Sequence, residues 1–437
     1  MFALAAISLA LVAPALALPE QIHLALGKNS PYDMTVQFSD SSVSSAAVRF
    51  GSDSSNLSQE SVTTTHDFTD GGDDKYKQTH HIAVMDELKP STIYYYQVGS
   101  DEGGWSDVFD FKTAPDSTTL SSSYPLKFGI WGDMGFANSQ ILKAVTDEVE
   151  NKNFDMILHV GDFAYDFNSN NGHNGDDFMN AIQPLAAHVP YMVDMGNHEQ
   201  AYRMSHYTER FRNMPGSEGT VTTDNGEAPN NWFYSHDFGN VHFVAINTEV
   251  LFVEERHEYV KKQYEFVEAD LKAVNRTKTP WIVVHGHRPM YCSCDADCTF
   301  PARMVRNGGY ALHRKYGLEK LLNKYGADFY LAGHEHNYER MYDVYDGKTT
   351  QTNVNPPHTV HIVTGDAGGP EEHEPFKFPN PKRTAFRTAA YGYSRMTIYN
   401  DTHIHWEQVE TDTDDNVQGL VIDEVWFVQE NHGPFEV

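Results

Sequence analysis

The 437-residue chain is poor in cysteine, in positive charge and in long apolar stretches, and each shortage excludes something. Its three cysteines, Cys292, Cys294 and Cys298, all fall in one short run, CSCDADC. A structural zinc site takes four ligands, and no fourth cysteine or nearby histidine closes one. That leaves one short-loop disulfide and one spare thiol, with Cys292–Cys298 the favoured pairing. Lysine and arginine number 32 against 61 aspartates and glutamates, a formal charge of −29. So acidic a chain repels nucleic acid and anionic membranes, and neither is expected as a partner. Beyond the N-terminus no apolar run is long enough to cross a bilayer.

The N-terminus itself is apolar, MFALAAISLALVAPALA, and ends on the small-x-small triplet Ala15-Leu16-Ala17 with Pro19 just beyond. A transmembrane anchor and a cleaved leader both have this character. No basic stop-transfer flank follows, so a signal peptide over residues 1–18 is expected, although the segment carries no Lys or Arg. Export agrees with three N-x-[ST] sequons, which make Asn56, Asn275 and Asn400 candidate glycosylation sites. The expected location is extracellular, or the lumen of an acidic organelle.

A chain of this length, with 40% hydrophobic residues, is expected to fold as two or three domains. Residues 20–115 read as all-β. Short alternating runs (QIHLALG, DMTVQFSD, AAVRFGS, STIYYYQVGS) are broken by Ser, Gly and Asp clusters. Glu87-Leu88-Lys89-Pro90, then Thr92 and Tyr94-Tyr95-Tyr96, resembles the corner of a fibronectin-type sandwich. No chemistry-bearing cluster stands out there, so a structural role is expected. Thr113–Tyr124 reads as a linker.

From Pro125 to the end the pattern becomes α/β. Apolar, strand-like runs alternate with helix-period segments, one carrying Ile141, Val145 and Val149, another Val260, Tyr264, Val267, Leu271 and Val274. The order implies a largely parallel or mixed sheet covered by helices. From about 356 the sequence returns to β character.

Five of the strand-like runs end in metal-ligating residues. These are Asp133 in GDMG, Asp162 and Tyr165 in GDFAY, Asn197 and His198 in GNHE, His287 in VHGH, and His334 with His336 in GHEH. In an open α/β sheet, functional sites assemble at the carboxyl ends of strands. One Gly-Asp is a turn and one His is a core residue, but five such tips in one domain point to a metal centre.

This ordered set resembles the calcineurin-like metallophosphoesterases, and Tyr165 three residues after Asp162 narrows the resemblance to the purple acid phosphatases, over roughly residues 20–435. The resemblance implies an α+β/α/β architecture, with a fibronectin-III-like sandwich preceding a βαβαβ metallophosphoesterase domain. It implies that Asp133, Tyr165 and His336 hold Fe³⁺, that Asn197, His287 and His334 hold a divalent ion (Zn, Fe or Mn), and that Asp162 bridges them. His285 would lie behind the ligand His287. Phenolate, carboxylate and imidazole suit a hard ferric ion, and Asn donates less charge to the second. The two cations outweigh the three anionic ligands by about +2, so a strongly acidic chain can still attract a phosphate dianion. The implied reaction is hydrolysis of small phosphate monoesters, with a metal-bound hydroxide as nucleophile and His198 as phosphate contact and proton donor. A protonated histidine acid implies an acidic optimum.

The match thins in places. Plant members carry an adjacent histidine pair nine and ten residues after the ligand, where this chain has Ala296 and Asp297, and its loop resembles the animal long form instead. Asp295, Asp297 and His313 are the alternative proton donors. Thr364–Pro370 resembles a phosphate loop but lacks the P-loop lysine, and is expected to pack against the site. The run at 411–415 reads as a solvated turn, and Tyr202, Arg203 and His206 as possible pocket lining. Two other functions fit the same sequence: a phosphodiesterase or nucleotide pyrophosphatase, and a secreted binding protein with a degenerate site.

Overall fold

The computed structural model describes residues 18–40, 45–217, 219–253, 256–295, 297–309, 315–412 and 417–435. The expected signal peptide therefore lies outside the described residues, Leu18 apart, as do His313 and most of the acidic run at 411–415.

The first layer is a β-sandwich. Strands Glu20–Leu26, Met34–Ser39, Lys77–Met85 and Thr64–Thr69 form one sheet, and the sheet around Ala47–Gly51 and Ile93–Ser100 forms the other. Alternation buries Val48, Phe50, Tyr94, Tyr96 and Val98 between them. The sandwich docks through polar as well as apolar contacts. Arg210, fully buried, donates to Gln21 Oε1 at 3.3 Å, Asp176 Oδ1 at 3.1 Å and the Tyr76 hydroxyl at 3.2 Å. The Tyr96 hydroxyl donates to the Ala187 carbonyl at 2.8 Å. The expected linker contains one helical turn, Leu120–Ser123.

The second part consists of two stacked mixed sheets. In one, Tyr191–Val193, Met156–His159 and Leu126–Trp131 run parallel; Gly392–Ile398 then pairs antiparallel with Leu126–Trp131, so the C-terminal segment completes this sheet. In the other, Val241–Ala245, Trp281–His285, Phe329–Ala332 and Val360–Thr364 run parallel, with antiparallel strands at both edges. Phe128 of the first sheet meets Phe238 and Phe243 of the second edge-on, with centroids 5.3 Å apart in each case. Strands covered on both faces read as continuous apolar runs, and Trp281–His285 is buried at every position. Among the flanking helices, Leu142–Glu150 buries Val145 and Val149, and His257–Ala273 buries Val260, Val267 and Leu271. Parallel strands bring their carboxyl ends to one edge of each sheet, so the loops after Leu126–Trp131, Met156–His159, Tyr191–Val193, Trp281–His285 and Phe329–Ala332 converge.

Candidate metal centre

The seven expected ligands gather at that edge in two adjoining sets. In the first, the Tyr165 hydroxyl lies 3.0 Å from His336 Nε2 and 3.5 Å from Asp133 Oδ1. His336 Nε2 is also 3.5 Å from Asp133 Oδ1. In the second, His287 Nε2 lies 3.1 Å from Asn197 Oδ1 and 3.1 Å from Asp162 Oδ2. Ligand atoms of Asp162, His287 and His334 all fall within 4.8 Å of one another. Asp162 presents its other oxygen, Oδ1, to the His198 amide at 2.9 Å.

Local backbone geometry makes this convergence possible. Asp133, Asp162, Tyr165 and His334 carry positive φ (61°, 54°, 48° and 71°), a region few non-glycine residues occupy. Asp133, Asp162 and His334 sit just past the end of a strand, where the chain must turn at once to aim a side chain back over the sheet edge, and Tyr165 follows three residues after Asp162. Such strain, of order 1–3 kcal/mol per residue, is characteristic of functional sites. Two neighbouring glycines leave the room required: a Cβ on Gly196 would meet Asp162 Oδ1 at 2.1 Å, and one on Gly333 would meet Asp133 Oδ2 at 2.4 Å.

Hydrogen bonds orient the donors. His287 Nδ1–H donates to the Val160 carbonyl at 2.9 Å, so Nε2 is the nitrogen that faces Asp162 and Asn197 and is left for a cation. Buried Glu199 accepts the amides of Asp162 (2.9 Å), Phe163 (3.0 Å) and Gly196 (2.8 Å), tying two ligand loops together. Its own burial, followed by the nearby Asp162 carboxylate, pushes its carboxyl above the ordinary range. Burial disfavours the charged imidazoles of His287 and His336. The carboxylates of Asp162 and Asp133 outweigh it and push the two rings up to about 10 and about 9. The two carboxylates thus draw positive charge to the site, which suits a cation.

His198 lies over this cluster. Its Nδ1 is 2.6 Å from Asp166 Oδ1, its Nε2 is 3.5 Å from Glu371 Oε1, and its ring is 4.5 Å from that of Tyr165. Burial works against its charged form, but the Asp166 hydrogen bond and the Asp162 and Glu199 charges outweigh burial and raise it to about 9. His285 lies beneath, its Nδ1 2.7 Å from Asp194 Oδ2, both residues buried. The Thr364–Pro370 loop packs against the centre, with the Gly369 amide donating to the Asp133 carbonyl at 2.8 Å.

Other expected residues lie elsewhere. Tyr202, Arg203 and His206 do not line the site; they face the sandwich seam. His206 is buried against Phe68 and 3.3 Å from Asp70, Arg203 reaches Asp224, and Tyr202 covers Gly71 and Gly72. The cause is a left-handed turn directly after GNHE, with φ of 49°, 59° and 63° at residues 202–204. Asp295 Oδ1 accepts the Asp297 amide at 2.7 Å within its own loop, whereas Asp297 Oδ2 approaches His334 Nε2 at 3.2 Å. A disulfide joins Cys292 and Cys298, and Cys294 is a buried thiol 3.3 Å from Cys298 Sγ. The neighbour that the sequence did not reveal for this loop is Glu335, whose Oε2 accepts the Cys294 thiol at 2.5 Å. Asn56, Asn275 and Asn400 are exposed.

Four further residues at the site escaped the sequence reading. Glu199 stands inside the GNHE block and Arg288 directly follows VHGH, each next to a residue singled out. Glu249 follows a further apolar strand, Val241–Ala245, which ends in Asn247-Thr248-Glu249 and was legible by the same rule. Glu371, whose Oε2 is 3.8 Å from His336, has no sequence signal.

Comparison with known proteins agrees with this geometry. Residues 19–113 match the purple acid phosphatase N-terminal domain, 126–338 the calcineurin-like phosphoesterase family, and 358–424 the iron/zinc purple acid phosphatase-like protein C domain. Acid phosphatase type 7 of Mus musculus is 40% identical over 425 residues, covering 94% of this chain and 91% of the mouse protein. That of Danio rerio is 38% identical, covering 95% and 92% respectively. A purple acid phosphatase from yellow lupin seeds shares the fold at a TM-score of 0.73 with 24% identity, covering 94% of this chain and 75% of the lupin chain. With three consecutive segments matched and a 40% identical relative aligned almost end to end, the chain belongs to the purple acid phosphatase family.

Proposed function

We propose that this protein is a secreted acid phosphatase that hydrolyses small phosphate monoesters at a binuclear Fe³⁺–M²⁺ centre. The observation that carries the reading is two adjoining donor sets of different chemistry, with the Asp162 carboxylate 3.1 Å from His287 of one and its charge acting on Tyr165 and His336 of the other. Asp133, Tyr165 and His336 would hold the ferric ion, and Asn197, His287 and His334 the divalent one, with Asp162 shared. When bound, the two cations would neutralise phosphoryl oxygens and make water a competent nucleophile well below neutral pH. The chain's own groups do the rest. Glu199 holds the Asp162 and Gly196 loops in register, and the Val160 carbonyl fixes the His287 tautomer. Asp166 orients His198 through Nδ1, leaving Nε2–H directed at the site to donate its proton to the departing alkoxide. Secretion is supported by the apolar N-terminus and by exposed sequons in which Thr277 and Thr402 hydroxyls already contact Asn275 and Asn400 (2.7 and 2.9 Å).

The test is metal analysis and a visible spectrum of the pure protein, with turnover of a nitrophenyl monoester, a bis-ester and ATP in parallel. Iron near one equivalent, a violet colour lost in Tyr165→Phe, and preference for the monoester are expected. An active, colourless, iron-free enzyme would overturn the ferric assignment, and preference for the bis-ester or ATP would move the substrate class to diesters or nucleotides. Absence of both metals and turnover would leave a binding protein.

A further inference from the structure

We propose that the cysteine loop and Glu335 form a separate, sulfur-rich metal site, one that takes Zn²⁺ once the Cys292–Cys298 bridge is reduced. The inference goes beyond the phosphatase reading and uses none of the seven ligands named above.

A disulfide needs two cysteines, yet the fold gathers three sulfurs and a carboxylate. Ligand atoms of Cys292, Cys294, Cys298 and Glu335 all fall within 4.8 Å of one another. Cys294 Sγ is 3.3 Å from Cys298 Sγ and 2.5 Å from Glu335 Oε2, and Cys292 Sγ is 3.4 Å from Glu335 Oε1. In chain order the run CSCDADC offers three ligands and lacks a fourth; tertiary structure supplies it from the GHEH turn. Cys292, Cys294 and Glu335 are buried, and the carboxyls of Asp295 and Glu374 flank them. Among the described residues no Lys, Arg or His nitrogen comes within 4.0 Å of the Glu335 carboxyl oxygens. Buried carboxylates pair with a cation or hold a metal, and this one has no cation. Thiolates with one carboxylate suit Zn²⁺. Zn–S bonds of about 2.3 Å set the sulfurs of a tetrahedral site about 3.8 Å apart, so opening the bridge and small shifts of the other atoms suffice.

The loop is braced to keep its shape without the bridge. Arg383 Nη2 donates to the Cys292 carbonyl at 2.6 Å, the Lys377 amide to the Cys294 carbonyl at 2.9 Å, and Arg387 Nη1 to Ser293 Oγ at 2.7 Å. The Cys294 amide donates to Cys298 Sγ at 3.2 Å, a bond that favours a thiolate there. Three thiolates and one carboxylate around Zn²⁺ leave about two surplus negative charges, which the Arg383 and Arg387 guanidiniums beside the loop offset. Cys298 is partly exposed and is the point of attack for a dithiol reductant. One dithiol sulfur bonds to Cys298 Sγ as the Cys292–Cys298 bond breaks, and Cys292 Sγ leaves and takes a proton. The second dithiol sulfur then closes the reductant's own disulfide and releases Cys298 as a thiol, so the dithiol's two protons end on the two cysteines. Zn²⁺ binding displaces the three thiol protons to water.

The experiment uses the full chain with its own metals, oxidised or treated with dithiothreitol and freed of reductant under argon. Thiols are counted in denaturant, Co²⁺ is titrated in, and melting curves are taken with and without Zn²⁺. The reduced protein should show three thiols and bind one further Co²⁺ with a near-ultraviolet thiolate-to-cobalt band, which the sulfur-free binuclear centre cannot give. Zn²⁺ should abolish that band and raise the melting temperature. The oxidised protein should do neither, and reduced Cys294→Ser should bind Co²⁺ at least about 10- to 100-fold more weakly. A reduced wild type without the band, a bridge that resists the dithiol in the folded protein, or unfolding on reduction despite Zn²⁺ overturns the inference, as does wild-type affinity in Cys294→Ser. Should Cys294→Ser not fold, Cys294→Ala is read by the same criterion. A wild type that shows the band but lacks monoesterase activity sinks the phosphatase reading alone, so the two failures separate.

Discussion

Gly196→Ala tests whether the centre depends on close approach of two loops. Gly196 has φ −101° and ψ −178°, extended backbone that alanine adopts freely, so any effect comes from the added methyl and not from lost conformational freedom. The methyl would stand 2.1 Å from Asp162 Oδ1 and 2.5 Å from the Asp162 amide nitrogen. The carboxylate could swing away, but the amide cannot, because Glu199 holds it at 2.9 Å. Overpacking of this kind costs roughly 1–3 kcal/mol. Here it would be expressed as displacement of the carboxylate shared by both donor sets, for which a loss of about 10–100-fold in metal affinity or activity is the usual scale. Metal content by mass spectrometry, kcat for nitrophenyl phosphate and a melting curve read the three consequences together. Both metals should be depleted while the fold persists at a lowered melting temperature. A Gly196→Ala protein with two metals and wild-type kcat would refute the argument that the shared carboxylate leans on this glycine.

Two further outcomes are expected. His198→Ala should retain both metals and lose roughly 10²–10⁴-fold in kcat on an alkyl phosphate, with a smaller deficit on nitrophenyl phosphate, whose leaving group departs unprotonated; equal losses on both would shift its role to binding. His242 lies between Asp237 and Asp270, at 2.6 and 2.8 Å, and those hydrogen bonds overcome burial to push it up to about 9. Since its folded value exceeds the unfolded one near 6.5, its stabilisation is complete below about pH 6.5 and disappears as pH rises through 9, with an upper bound of roughly 3 kcal/mol. The melting-temperature gap between wild type and His242→Gln should therefore be wide at pH 5–6 and closed above pH 9; a constant gap would discard the ion-pair account.

Chain order alone established which residues could act and roughly where. Strand character is local, so apolar runs such as WIVVH and FYLA and the ligands at their tips were legible without a fold, as was the ordered set Asp133, Asp162, Tyr165, Asn197, His287, His334 and His336 that marks the family. The change from alternating to continuous apolar runs near residue 125 likewise separated the sandwich from the α/β part, because burial on one face or on both leaves its own pattern. Tertiary structure decided what depends on distant segments meeting. Glu335 approaches the cysteine loop from about forty positions away, and Glu249 grips Arg288 from the turn that follows a neighbouring strand. His206, close to the GNHE block in sequence, is turned into the sandwich seam by a left-handed bend that no periodicity announces. Hydrophobic pattern and ligand type are properties of single residues and their near neighbours. Which carboxylate faces which cation is set by the convergence of parallel strand ends, and that exists only once the two sheets have packed.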